Sequence, residues 1–316
     1  MRILPMLTGA LLLPLLPVLG GCEESSDPAD IREVLPDDRL LGDPLDESTL
    51  ARSRVDAPSR YALLTLTWVV ETNAPIAVVL SLLDTITGFP ASWTDETQTR
   101  LLWGPWSGDG VQGHLIVEHR SDGGFDWLVQ MAAADAGAAV LDEAWRPVVA
   151  GEIDTGATAT ASTGRFWIDL DALNDLGQGD GTRGAVGVDY GLRPSGASTE
   201  VFLGDIAQGA AIPTDAATRF EHVRGGGGTM DVAVRADLTN PPNGTQELWV
   251  VRSRWTATGA GRADAFLTEG DLGPLTFTET ECWSRGLQVV YFQNNYELAS
   301  GGEEAACAFE EPSFQD

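Results

Sequence analysis

From Thr99 onward the chain keeps one rhythm. Short apolar or alternating runs follow one another, each closed by a cluster of Gly, Pro, Asn or Asp. The series opens with "TRLLWGPW", "GHLIVEH" and, after the turn "RSDGG", "FDWLVQM". In the last of these, Phe125, Trp127, Val129 and Met131 share one side by the two-residue period of a strand. It continues through "AWRPVVAGEI", "ATASTGRFWIDL", "GAVGVDYGL", "TEVFLGDI", "TRFEHV", "MDVAVRADL", "ELWVVRSRW", "GRADAFLTE", "LTFTETECW", "LQVVYFQNNY" and "AACAF". No run of helices lies between them to carry parallel crossovers, so the strands are expected to pair antiparallel. A flat sheet of this size curls or splits. The fold class read from this pattern is mainly β: a large curved antiparallel meander, half-barrel or sandwich, with one long buried helix near its start.

That helix is predicted over 74–87. Asn73 stands as N-cap, Pro75 in the first turn, and Gly88 and Pro90 close the segment. Ile76, Val79, Leu80, Leu83 and Ile86 form one stripe, Val78 and Leu82 widen it, and Asp84 is its only charge. A helix of this kind is expected inside a concavity of the sheet, with Val78 and Leu82 toward a covering loop or an apolar groove. The preceding run "LLTLTWVV" (63–70), rich in branched and aromatic residues, reads as a strand.

The first residues carry one arginine, then the apolar run "ILPMLTGALLLPLLPV", interrupted by Pro5, Pro14 and Pro17. This is the layout of a secretory signal peptide rather than of a spanning helix, which needs about 20 apolar residues. The run ends in Leu19-Gly20-Gly21-Cys22. That seam resembles the lipobox of bacterial lipoprotein precursors. The resemblance covers residues 1–22 and implies cleavage after residue 21, with a diacylglycerol on Cys22 as the first mature residue. Glu23, where enteric inner-membrane lipoproteins carry Asp, favours the outer membrane over the inner. Several acyl chains on one residue make dissociation from a bilayer negligible. Residues 22–58 then read as the lipidated Cys and an acidic, proline-dotted, disordered tether. Residues 59–316 read as a single β-rich domain. An echo between "EHRSDGGFDWLVQMAAAD" at Glu118 and "EHVRGGGGTMDVAVRAD" at Glu221 suggests two duplicated halves; similar hairpins of one composition are the alternative.

Composition narrows the partners. The net charge is −28 and every basic residue is an arginine. Phosphate backbones repel such a surface, so nucleic acid is not an expected partner. With Cys22 assigned to lipid, Cys282 and Cys307 form an even remainder in a compartment that permits disulfides. Their bond meets a tension. If "LTFTETECW" and "AACAF" flank "LQVVYFQNNY", they lie about 9.5 Å apart, beyond the roughly 7 Å a disulfide spans. The last segment is therefore expected to leave the meander and fold back.

No catalytic signature emerges. His114 and His119 stand at an odd spacing on one strand, on opposite faces, and His222 sits beside a hairpin. No Cys or His pair has metal spacing, and no nucleophile elbow is present. "RGGGGT" (224–229) runs into a strand, so it reads as a hairpin turn rather than a phosphate loop. In "DLDALNDLGQGDG" the calcium-loop positions fail, because Asn174 stands where the loop needs glycine, leaving a short helix with a glycine-rich exit. Ten tryptophans exceed what one core face uses. In "ELWVVRSRW", Trp249, Val251 and Trp255 share one side, and Leu248 and Val250 the other, so both faces need cover. Val78, Leu82, Trp249 and Trp255 are the candidate groove. The expected function is a non-catalytic envelope lipoprotein that binds or scaffolds at a bacterial membrane. Its partners are the bilayer through Cys22 and an apolar ligand, a glycan or an envelope protein, and no cofactor is expected besides the covalent lipid. The alternatives are a half-barrel carrier of an acyl or aromatic ligand and a hydrolase with a dispersed site.

Overall fold

A computed structural model of the protein describes residues 35–41, 58–134, 144–154, 158, 161–208, 214–223, 225–238 and 243–310. The expected signal peptide, Cys22 and the expected tether apart from 35–41 and residue 58 lie outside the described residues. The fold is mainly β. One open antiparallel sheet of fifteen strands keeps chain order from its first strand to its last, so the strands do not divide into the two sheets of a sandwich. The strands are β1 (Trp93–Thr94), β2 (Arg100–Gly108), β3 (Val111–His119), β4 (Phe125–Ala133), β5 (Arg146–Ile153), β6 (Ser162–Asp169), β7 (Thr182–Arg193), β8 (Gly196–Gln208), β9 (Thr214–Val223), β10 (Gly227–Ala236), β11 (Glu247–Thr256), β12 (Gly261–Thr268), β13 (Phe277–Trp283), β14 (Val289–Asn294) and β15 (Ser300–Gly302). Both edges are short, at two and three residues, which limits edge-to-edge pairing with other chains.

One long helix, α1, precedes the sheet and spans Arg60–Thr87. It absorbs "LLTLTWVV", which is therefore helix and not strand, and Asn73 and Pro75 lie inside it rather than at its start. The reason is a stripe longer than the local propensity. Tyr61, Thr65, Trp68, Thr72, Ile76, Val79, Leu83 and Ile86 are buried at steps of three and four. The start is set upstream, at Ser59, whose Oγ accepts the Ala62 amide at 2.9 Å. Pro75 removes one intrahelical donor, yet the stripe continues through it. Thr67, Val70, Ser81 and Asp84 lie exposed on the opposite side. Among the described residues α1 is the one helix long and apolar enough to cross a membrane by length and composition. A second helix, α2 (Leu170–Asp175), is capped by Asp169, which accepts the Ala172 amide. It is the short helix expected from the acidic run, and its exit passes through Gly177 at φ 70°.

Among the described residues two compact units divide the chain: those within 35–40, 74–194 and 204–208 form one, and those within 41–73, 195–203 and 214–310 the other. The boundary falls inside α1 and inside β8. The two echoing segments are the β3–β4 and β9–β10 hairpins, one in each unit. In the first unit Ile76, Val79, Leu83 and Ile86 of the second half of α1 are buried, and α2 lies against β5 and β7. A 3-10 turn at Asp38–Leu40 lies against β7, with Leu35 and Leu40 buried. That stretch of the expected tether is thus part of the folded body, because its leucines supply apolar area that the acidic residues around them lack.

In the second unit the first half of α1 meets β11 and β13. Thr65 Oγ1 and Ser253 Oγ lie 2.7 Å apart. Glu281 on β13 accepts the Tyr61 amide at 3.0 Å and the Ser59 hydroxyl. A carboxylate from the sheet thus satisfies the positive end of the helix. The end of the chain corrects one expectation and meets another. "AACAF" is a 3-10 turn followed by bends, not a strand, and β15 takes the outer edge of β14. The chain then returns across the hairpin, so that Cys282 and Cys307 are bonded with Cα atoms 5.4 Å apart.

Candidate functional site

The first unit contains the cavity that sequence reasoning attached to Val78 and Leu82. Its volume is about 70 Å³. Pro75, Val78, Val79 and Leu82 of α1 form one wall. Met131, Val149, Ile168 and Val186, from four consecutive strands, form the floor, and Leu170 and Leu173 of α2 close a side. The floor residues are buried, whereas Gly179 and Asp180 at the rim are exposed. A bulge in β5, between the pairs Val129–Val149 and Gln130–Pro147, brings Val148 to the cavity as well.

The rim is held by its own hydrogen bonds. Asn174 Nδ2 donates to the Leu170 carbonyl at 2.8 Å and to that of Thr182. Its Oδ1 accepts the Gly181 amide at 2.8 Å, and Asp180 accepts the Thr182 amide at 2.9 Å. Asp180 is the one ionisable residue lining the cavity.

Trp249 and Trp255 are not part of this cavity; both belong to the second unit. Trp255 is buried and stacks on Phe220 with centroids 5.8 Å apart, and Trp249 is half-buried, paired with Val234 and Leu267. Several aromatic residues have a use that sequence reading missed: each lies over a glycine directly across the ladder. The pairs are Trp106–Gly113, Trp127–Gly151, Tyr190–Gly164, Trp255–Gly228, Trp283–Gly261 and Phe292–Gly301. A Cβ at Gly113 would come 2.8 Å from the Trp106 ring, and one at Gly228 2.5 Å from that of Trp255. The glycines spread along these strands are sockets for aromatic side chains. Only the register shows it.

On the face of the first unit opposite α1, directly paired residues form a row across seven strands: Trp93, Leu102, Ile116, Leu128, Ala150, Trp167 and Gly187. Trp93 and Trp167 are 51% and 48% exposed. A parallel row is charged throughout: Arg100, Glu118, Asp126, Glu152, Arg165 and Asp189. Arg100 pairs with Glu118 at 2.9 Å and Arg165 with Glu152 at 2.7 Å. On the other side of the apolar row, His114 bonds Gln130 at 2.9 Å and packs against Trp145 at 4.0 Å. Burial holds the His114 imidazole below its ordinary pKa.

The disulfide anchors a strap over the second unit. Arg262, 2% exposed, pairs with buried Asp264 at 3.1 Å and donates to the carbonyls of Phe309 and Glu310 at 3.2 Å each. The Arg254 guanidinium sits 4.9 Å from the Phe309 ring centroid. Burial, and then Glu279, raise the Tyr61 phenol; burial likewise raises that of Tyr190. None of these perturbed groups lines the cavity. Among the described residues no group of three or more His, Cys, Asp or Glu is arranged to hold a metal ion. No protein-family model, no curated protein and no solved structure matches the chain.

Proposed function

We propose that this chain is a lipid-anchored, non-catalytic envelope protein that binds or scaffolds at a bacterial membrane surface. The observation that carries the reading is the cysteine arrangement. Cys282 and Cys307 bond to each other, which fits an exported chain and leaves Cys22, at the end of the signal-like apolar run, as the third cysteine. Glu23 after it favours the outer membrane. The binding surface in this reading is the part of the apolar row that exposes Trp93 and Trp167, rimmed by charge, the pattern of a protein-docking patch; its partner is another envelope protein. Metabolic labelling with an alkyne fatty acid tests the anchor. The wild-type chain is expected to take label and fractionate with membranes, and Cys22→Ala to do neither. Equal labelling of the two ends the proposal.

A second reading, a carrier of an apolar ligand, draws support from the cavity between α1 and the sheet. Its volume of about 70 Å³ is well below the 300–1,000 Å³ of pockets that enclose drug-sized ligands. Enclosure of a whole acyl chain is therefore not part of this reading.

A further inference from the structure

We infer that the cavity beneath the second half of α1 is a receptor for a short, neutral alkyl group. The inference rests on the carrier form of the function above and narrows its ligand.

The walls decide the chemistry. Val79, Leu82, Met131, Val149, Ile168 and Leu173 present hydrocarbon or thioether to the space. A charged or strongly polar group would lose its hydration there without a partner. Volume limits the size: about 70 Å³ is far below the roughly 300–1,000 Å³ of sites for drug-sized ligands, so the group is short. The mouth decides the orientation. The cavity ends inward on residues at most 5% exposed, and outward on exposed Gly179 and Asp180. The alkyl end therefore lies inward, and whatever it is attached to lies at the rim.

The same chemistry has two sources: a free small molecule, or the end of a longer chain whose remainder stays outside. Thermal unfolding of the full chain carrying Cys22→Ala distinguishes them, and the assay does not depend on whether Cys22 is acylated. The probes are a 1-alkanol series from propanol to octanol and a monomeric palmitoyl lysophospholipid. At saturating probe the midpoint is expected to rise by roughly 2–5 °C, with a maximum at one chain length inside the series. A rise with the alkanols alone identifies a free small ligand; a rise with the lysophospholipid identifies a chain end.

Val149→Phe fills the space with about four more carbons and is expected to abolish the rise. Leu82→Ala removes three carbons from the wall and is expected to move the alkanol optimum two or three carbons longer, a shift that a merely structural role would not produce. No rise with any probe, or an optimum that Leu82→Ala leaves in place, overturns the inference. Loss of acylation at Cys22 with the alkanol response intact removes the anchor and leaves the site standing.

Discussion

Gly151 lies directly across from Trp127, and the indole occupies the space a side chain would need. Gly151→Ala is therefore expected to destabilise the protein by about 1–3 kcal/mol through overpacking. Gly204→Ala is the control: a Cβ there meets nothing within 4 Å, and the change is expected to be near neutral. Urea unfolding of the two variants measures the difference; equal midpoints would mean that the indole shifts freely. His114 gives the pH signature. Its folded pKa lies below the ordinary 6.5 because it is partly buried. Above 6.5 both states are neutral and the group has no effect. As the pH falls below 6.5 the unfolded chain gains a proton that the folded chain resists, so stability falls. His114→Gln is expected to flatten the stability curve between pH 7 and 5.5. An unchanged slope would assign the loss to other groups.

At the scale of elements, α1 is fastened twice by different means. Its start is polar: Ser59 caps it and Glu281 supports the cap. Ser59→Ala is expected to lower stability by about 1 kcal/mol and to speed hydrogen exchange of the Tyr61 and Ala62 amides. Its second half buries Ile76, Val79, Leu80, Leu83 and Ile86. Leu80 and Leu82 are equally buried, but only Leu82 borders the cavity. Leu80→Ala is expected to cost about 2–5 kcal/mol, and Leu82→Ala much less, because its atoms already lack close neighbours on one side. Equal losses in denaturant titrations would mean that the cavity collapses around either change.

At the scale of the whole chain, closure of the loop between Cys282 and Cys307, a separation of 25 residues, by the disulfide removes unfolded-state freedom worth about 3.5 kcal/mol in the chain-entropy model. Cys307→Ser is expected to cost up to that amount and to open the 303–310 strap to proteases while the ladder before it stays protected. A variant whose strap resists digestion would show that the contacts of Arg262 and Arg254 hold it unaided. In the parent protein, non-reducing peptide mapping is expected to return one linked peptide containing Cys282 and Cys307.

The antiparallel class, the β3–β4 and β9–β10 hairpins, the short helix at Leu170–Asp175 and the partnership of Cys282 with Cys307 were legible in the sequence. The first three depend on information within a few residues: a two-residue alternation, a turn-forming cluster, a capping aspartate; the last depends on the two cysteines that remain once Cys22 is set aside. Even the return of the C-terminal segment followed from the spacing of strands. "LLTLTWVV" was misread because β-branched residues favour strands locally, while a buried stripe running on to Ile86 decides for helix. The register was not legible. Which glycine receives which indole, which carboxylate supports the start of α1, and why Val78 and Leu82 share a cavity without Trp249 and Trp255 depend on pairings between distant residues. A shift of one position would send every side chain of a strand to its other face. Alternation shows that a strand has two faces; only the tertiary structure shows what each face meets.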